Sequence, residues 1–350
     1  MKILYVVQDS SIAHLFFKEL IIKLNESNDL TLLYLDDINR FSFREATIQG
    51  VYTLYWKDLN FLQRLKIIRE NDVCHLEMLR SLIPLKIYSL IYGSKFSLTI
   101  HGWISNRRDI KTVLIEKVLN RLAKVWVLNE SDVSHLSGVQ SVSTLNAHGF
   151  GVKSNRFFSY PPNRALNGLF IGRWNELKGF HLLPGFLKDC ETIGIRFEKF
   201  FVIGNLDELR PSNKIDQALE ELKKLPYVDL VGPVSNVEEY YKQANFFILP
   251  SQREGISVAM SEAIVNGKIL ITYQCRGVSE LIDGKFSLPF DLWGDTMQLA
   301  RLTKKYTENE AFYTTYLKHI SDCKMLLKRE YCIKDIVNEY LKTWNQNEYK

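Results

Sequence analysis

Glu254 and Glu262 lie eight residues apart in REGISVAMSEAIVNGK, where the apolar run NFFILPS gives way to a helix expected to open near Ile256. A helix start presents unpaired backbone N–H groups and the positive end of a dipole, so it holds phosphate. Carboxylates beside it accept hydrogen bonds from sugar hydroxyls. The combination suits a nucleotide sugar. The same spacing also describes two solvated acids complementing a helix dipole, so the surrounding residues must decide.

The elements that position such a site alternate short β-rich runs with helical periodicity, as parallel sheets covered by helices require. In the first half the strand candidates are 2–7, 31–35, 73–77, 96–101, 124–128 and 141–145. After the turn-rich Tyr160-Pro161-Pro162-Asn163 the alternation restarts, with candidates at 168–172, 197–204, 228–232, 246–250 and 268–272. The reading is α/β, two Rossmann-like domains covering 1–160 and 161–330, followed by a helix at 333–346.

Composition sets the bounds. The chain has 350 residues, 46% apolar and 24% charged, room for two ordinary globular domains. No apolar run approaches the roughly 18 residues of a membrane span, and MKILYVVQDS reads as a first strand rather than a signal peptide, so the expected location is the cytosol. Cys74, Cys190, Cys275, Cys323 and Cys332 are scattered without a C-x-x-C spacing, which argues against a disulfide framework or a zinc site. Residues 1–160 hold 20 Lys and Arg against 15 Asp and Glu, so the whole net charge of +5 falls in the first half. On the helix expected at 58–70, Phe61, Leu62, Leu65 and Ile68 form an apolar stripe flanked by Lys66 and Arg69. A basic amphipathic helix of this kind either lies on an anionic bilayer or turns its stripe to the core and leaves a solvated basic edge. Nucleic acid is not an expected partner, because no DNA or RNA module accompanies the basic charge.

The stretch from Val228 to Asp283 resembles the donor-binding half of the family-4 retaining glycosyltransferases of GT-B fold. Two further segments agree. GLFIGRWNELKG, residues 168–179, is similar to that family's strand, Gly-Arg turn and Lys-Gly, and LTIHG, residues 98–102, to its N-terminal strand ending in His. The resemblance implies two Rossmann-like domains facing each other across a cleft, an acceptor domain first and a nucleotide-sugar domain second, with the last helix (331–350) crossing back to the first. It implies that Arg173 and Lys178 grip the donor diphosphate, where stabilising the departing charge is the largest catalytic demand. Gly172 and Gly255 permit close backbone approach, and the amides of Gly255, Ile256 and Ser257 complete the phosphate cradle. Glu262 is implied at the ribose hydroxyls, Glu254 at the transferred sugar, Glu280 at sugar or nucleotide, and His101 at the donor sugar. A covalent nucleophile is not favoured, because a retaining glycosidase needs two closely placed carboxyl groups and Glu262 is assigned to ribose.

Two departures stand beside the match. His148 falls in NAHGFGV where the family has an Asn-Gly-Val-Asp turn, and Gln8-Asp9-Ser10-Ser11 follows the first strand where a Gly-Gly loop is common. Ser10 and Ser11 there either donate to ligand or cap the next helix. The missing glycines also argue against a dinucleotide oxidoreductase. Asp36-Asp37 reads as a turn rather than a metal site, and neither metal nor other cofactor is expected. The expected activity is transfer of a hexose from a UDP- or GDP-sugar to a glycan or lipid-linked acceptor in polysaccharide assembly, at the inner face of the membrane. A nucleotide-sugar epimerase and a non-catalytic nucleotide-sugar-binding partner are the alternatives.

Overall fold

The computed structural model describes residues 1–36, 48–102, 110–145, 149–152, 166–207, 211–234 and 236–346. Contacts divide the chain into two compact units, Met1–Phe150 with Cys332–Lys350, and Gly151–Tyr331. The expected boundary near 160, at the Tyr160-Pro161-Pro162-Asn163 turn, lies outside the described residues.

The first unit is built on β1 (Lys2–Val7), β2 (Asp29–Tyr34), β3 (Tyr52–Tyr55), β4 (Val73–Glu77), β5 (Phe96–Ile100), β6 (Lys124–Val127) and β7 (Val142–Thr144). They form one parallel sheet in the order β3-β2-β1-β4-β5-β6-β7. The α-helices that follow its strands are α1 (Ser10–Ile12), α2 (Lys18–Asn25), α3 (Phe61–Glu70), α4 (Leu82–Ile91), α5 (Ile110–Leu119) and α6 (Glu130–His135). Strands buried on both faces must be apolar on both, and β1 divides its side chains by parity as a pleat requires. Leu4 and Val6 join a core with Ile68 and Leu85, whereas Ile3, Tyr5 and Val7 join another with Ile336, Tyr340 and Trp344 of the last helix.

The second unit carries β8 (Asn167–Ile171), β9 (Lys199–Ile203), β10 (Val228–Gly232), β11 (Phe246–Leu249) and β12 (Ile269–Thr272), parallel in the order β10-β9-β8-β11-β12. With it stand α7 (Leu183–Thr192), α8 (Asn213–Leu222), α9 (Glu238–Gln243), α10 (Val258–Val265), α11 (Thr296–Glu308) and α12 (Glu310–Leu326), and α13 (Arg329–Gln346) ends the fold.

Three local expectations need correction. The cap of α1 is Asp9, whose carboxylate accepts the Ile12 amide at 2.9 Å, so the cap falls one residue before Ser10. The helix expected from 58 begins at Phe61, because Asn60 and Gln63 close a capping box there. Its apolar stripe splits: Ile68 is buried and Leu65 packs against the core, while Phe61 and Leu62 stay exposed, since the sheet beneath needs covering.

Candidate active site

In an open parallel sheet, ligands bind beyond the carboxyl ends of the strands where the winding reverses. The second sheet reverses between β8 and β11, so the residues following these two strands share the crevice. Arg173 and Lys178 follow β8, and Glu254 follows β11. The Lys178 ammonium lies 2.5 Å from Glu254 Oε2, and Ser251 donates to Glu254 Oε1 at 2.6 Å. Both oxygens of this 4%-exposed carboxylate are therefore engaged, and its charge is balanced by an ammonium. Lys178 ends a short turn capped by Asn175, whose side chain accepts the Lys178 amide at 2.9 Å and donates to Asp207 at 2.8 Å. Asp207 also stands 3.6 Å from Arg173, whose side chain is 62% exposed and keeps most of its donors toward solvent. Cys275 lies in the same field: burial pushes its thiol up to about 12, with Glu254 adding to the shift, so it is no nucleophile.

Three glycines press these loops together. A Cβ on Gly204 would sit 1.9 Å from Gly172 O, one on Gly179 2.1 Å from Pro250 O, and one on Gly277 1.8 Å from Gly255 O. All three have positive φ, so the ends of β8, β9, β11 and β12 meet at contacts that only glycine allows. Gly172 donates to Ile203 O at 3.0 Å and brings the backbone close to the Lys178 side chain. Glu280 sits partly exposed in the turn after Gly277.

Ser257 caps α10, accepting the Met260 amide, so the helix opens at Val258. Among the described residues the amides of Gly255, Ile256 and Ser257 meet no protein acceptor, as an anion cradle requires. Glu262 lies within α10, 7% exposed, with Tyr241 donating to it at 3.4 Å.

The first unit holds a separate cluster. His101 follows β5, and its Nε2 lies 2.6 Å from Oε2 of Glu77, the last residue of β4. A carboxylate only accepts, so Nε2 carries the proton. The imidazole stacks on Phe150 at 5.4 Å and meets the edge of Phe17 at 5.3 Å. Glu77 is fully buried, and its Oε1 accepts from Tyr5, from His75 at 3.2 Å and from Tyr340 of α13 at 3.3 Å. Burial alone would push this carboxyl up, yet hydrogen bonds and charge from His101 and His75 outweigh it and hold it at about 2. Met78, next in the chain, has φ +74, the one positive value outside glycine among the described residues. Strain of that kind persists where surrounding contacts impose it.

Sequence reading did not single out Glu77, Asp207, Asn175 or Ser251. The signal for Glu77 was present: His75 and Glu77 are two charge-bearing residues on one face of a strand otherwise suited to a core. His148 and Asp37 lie outside the described residues. Asp36 pairs with Gln8, and no group of three or more His, Cys, Asp or Glu side chains suited to a metal ion occurs among the described residues. All five cysteines are free thiols.

Residues 166–305 match the family model described as glycosyl transferases group 1. The N,N'-diacetylbacillosaminyl-diphospho-undecaprenol alpha-1,3-N-acetylgalactosaminyltransferase of Campylobacter jejuni is 27% identical over 184 residues, 51% of this chain and 44% of that protein. The amylovoran biosynthesis glycosyltransferase AmsK of Erwinia amylovora is 28% identical over 158 residues, 43% of this chain and 38% of that one. The chain thus spans less than half the length of these curated relatives. Among solved structures, Anabaena Alr3699/HepE in complex with UDP and glucose superposes with a TM-score of 0.77 at 14% identity, covering 98% of this chain and 100% of that one. Sucrose-phosphate synthase from Thermosynechococcus elongatus gives 0.74 at 15% identity, covering 99% and 100%. The architecture is GT-B, two Rossmann-like units.

Proposed function

We propose that this chain, whose second unit carries a group 1 glycosyl transferase module, moves a hexose from a UDP- or GDP-sugar to a glycan or lipid-linked glycan acceptor with retention of configuration. The observation that carries the reading is the Lys178–Glu254 pair, at 2.5 Å, set beside Arg173 and the open amides of Gly255 to Ser257 at the β8/β11 reversal. Arg173, Lys178 and those amides supply positive charge where a departing diphosphate develops negative charge. Glu262 accepts from the ribose hydroxyls, and Gly172 lets the backbone approach the phosphates. Glu254, oriented by Lys178 and Ser251, is the group for the hydroxyls of the transferred sugar, with Glu280 an additional contact. The C1–O bond to diphosphate breaks, the C1–O bond to acceptor forms on the same face, and the acceptor's proton passes to the departing phosphate. No protein nucleophile is needed.

Arg173 and Lys178 take the place of a divalent ion, so the reaction runs without metal. The setting is assembly of a bacterial surface polysaccharide at the inner face of the membrane, in contact with an anionic bilayer. Polysaccharide assembly is supported by the Campylobacter and Erwinia relatives, which are named for transfer to a diphospho-undecaprenol-linked sugar and for amylovoran biosynthesis. The test is a thermal-shift and turnover screen against UDP, GDP, ADP and CMP with their sugar conjugates, with and without chelator. UDP or GDP at about a hundred times its Kd adds about 2.7 kcal/mol to stability. Arg173→Ala then lowers kcat more than donor affinity. Absence of a shift with every nucleotide sinks the donor site, epimerised sugar without nucleotide release makes the enzyme an epimerase, and loss of turnover on chelation overturns the metal-free reading.

A further inference from the structure

We propose that the amino edge of the first sheet carries a second ligand site, built for a phosphorylated sugar or nucleoside. The inference does not rest on the glycosyl-transfer reading, whose donor residues belong to the second unit. In a parallel sheet all strands begin on one edge, and ligands ordinarily bind beyond the other. Here β1, β4, β5 and β6 begin at Lys2, Val73, Phe96 and Lys124, and beside those starts lies a cavity of about 560 Å³. Small-molecule sites run from about 300 to 1,000 Å³.

Two turns form its wall. Gly93–Lys95 precedes β5, and residues 121–123 precede β6. A Cβ on Gly93 would sit 2.1 Å from Arg121 O, and the Ala123 amide donates to Gly93 O at 3.2 Å and to Phe96 O at 2.8 Å. The two turns are therefore locked together, and each brings one cation to the cavity. Lys95 is anchored: its ammonium donates to Arg69 O at 2.8 Å and to Asn71 O at 2.7 Å, which leaves one of its three donors for a ligand. Arg121 is exposed, and its guanidinium meets no acid or acceptor among the described residues. A guanidinium presents a planar fork of donors that fits phosphate.

Acid is sparse around these cations. Asp72 is the one acid among the described residues that line the cavity, and its Oδ2 already accepts the Lys2 amide at 2.7 Å. Glu70, at the end of α3, stands 3.9 Å from Lys66, and Asp29 begins β2 on the far side of β1. Two cations against one carboxylate select a phosphoryl group, while the carboxylate accepts hydroxyls of the body that carries it. Val73, Leu122 and the Trp344 indole supply apolar surface for a ring. The floor is itself bonded: Trp344 donates to Ser97 at 3.1 Å, Ser97 bonds His75 at 2.9 Å, and His75 bonds Glu77 at 3.2 Å. A ligand on the indole therefore touches the near end of the network that holds His101 at the opposite edge of the same sheet.

The test is fluorine NMR of the full chain labelled with 5-fluorotryptophan, in which Trp344→Phe identifies the Trp344 signal among the six tryptophans. Glucose 1-phosphate and UMP are the probes, with glucose and uridine as their unphosphorylated counterparts. At least one phosphorylated probe should move the Trp344 signal saturably, and the tighter of the two names the body. Arg121→Glu and Ser94→Glu, the latter beside Lys95 in the cavity wall, should each weaken that binding about tenfold or more. Both side chains are exposed, so these variants keep the wild-type melting temperature and UDP affinity. The proposal is overturned if neither phosphorylated probe moves the Trp344 signal, or if Arg121→Glu binds as wild type does. It is equally overturned if glucose and uridine bind as well as their phosphates. Loss of the response in Arg173→Ala would mean that the probe acts from the donor site, and the cavity assignment fails. UDP affinity measured on the same samples keeps a failure here distinct from a failure of the donor reading.

Discussion

Glu77 is a charged group with no water around it, and such a group persists only when donors replace its hydration. Tyr5, His75, Tyr340 and His101 supply them. The result is a carboxylate held at about 2 against an ordinary 4.5, with His101 fixed as a consequence. A depressed carboxyl contributes stability that is complete above its unfolded value and is lost as pH falls through the folded one. Lowering this carboxyl from 4.5 to about 2 corresponds to about 3 kcal/mol at neutral pH. Glu77→Gln keeps the shape and removes the charge. It should cost about 3 kcal/mol at pH 7, and the difference from wild type should shrink to less than about half of that by pH 3. Urea unfolding of both proteins at pH 7, 5 and 3 reads this directly. A difference that stays constant across that range would mean that Glu77 acts through shape alone.

At the scale of elements, the site is made by strand ends that only glycine lets touch. Gly277 and Gly194 separate the two things a glycine can do. Gly277 has φ +81 and a Cβ there would collide with Gly255 O at 1.8 Å, whereas Gly194 has φ +88 with open space around it. Gly194→Ala should therefore cost only backbone strain, about 1 kcal/mol, and leave nucleotide affinity alone. Gly277→Ala must push the loop after β12 away from the Gly255 amide, so it should cost more stability and weaken nucleotide binding at least about tenfold. Equal effects of the two on calorimetric affinity would contradict the close-packed loop. The strands that build this edge were legible in the sequence because sheets buried on both faces leave continuous Val, Ile, Leu and Phe runs. β3 was not among the sequence candidates because Tyr52–Tyr55 is a partly exposed edge with no such run. The Arg173, Lys178, Glu254 and Glu262 positions were legible because each sits within a few residues of a readable strand or helix. The Glu77–His101 contact was not, because it depends on β4 pairing with β5 in the register that sets Glu77 opposite Thr99, which neither strand specifies alone. The division of the α3 stripe between core and surface was hidden for a similar reason, since periodicity shows a face but not what covers it.

For the molecule as a whole, the first unit is not complete until the last helix has been made. Its residues belong to Met1–Phe150 and to the segment from Cys332, so its core closes around α13. Tyr340 and Trp344 stack at 5.0 Å, His75 packs against both rings at 4.5 and 5.5 Å, and the Trp344 indole donates to Ser97 at 3.1 Å. Ser97 in turn bonds His75, so α13 reaches the Glu77 network by two routes, Tyr340 directly and Trp344 through Ser97. The second unit has its own core, with no contribution from Tyr340 or Trp344. Removing the indole should therefore act on one unit. Trp344→Ala leaves a cavity in a packed core and should cost about 3 to 5 kcal/mol. Hydrogen exchange locates the effect: amides of β1, β4 and β5 should exchange faster, and amides of β8, β11 and β12 should keep their protection. Loss of protection in the second sheet to the same degree would show that the two units unfold as one. Unchanged exchange throughout would show that α13 is a passenger on the first sheet, leaving Glu77 and His101 to be held by β4 and β5 alone.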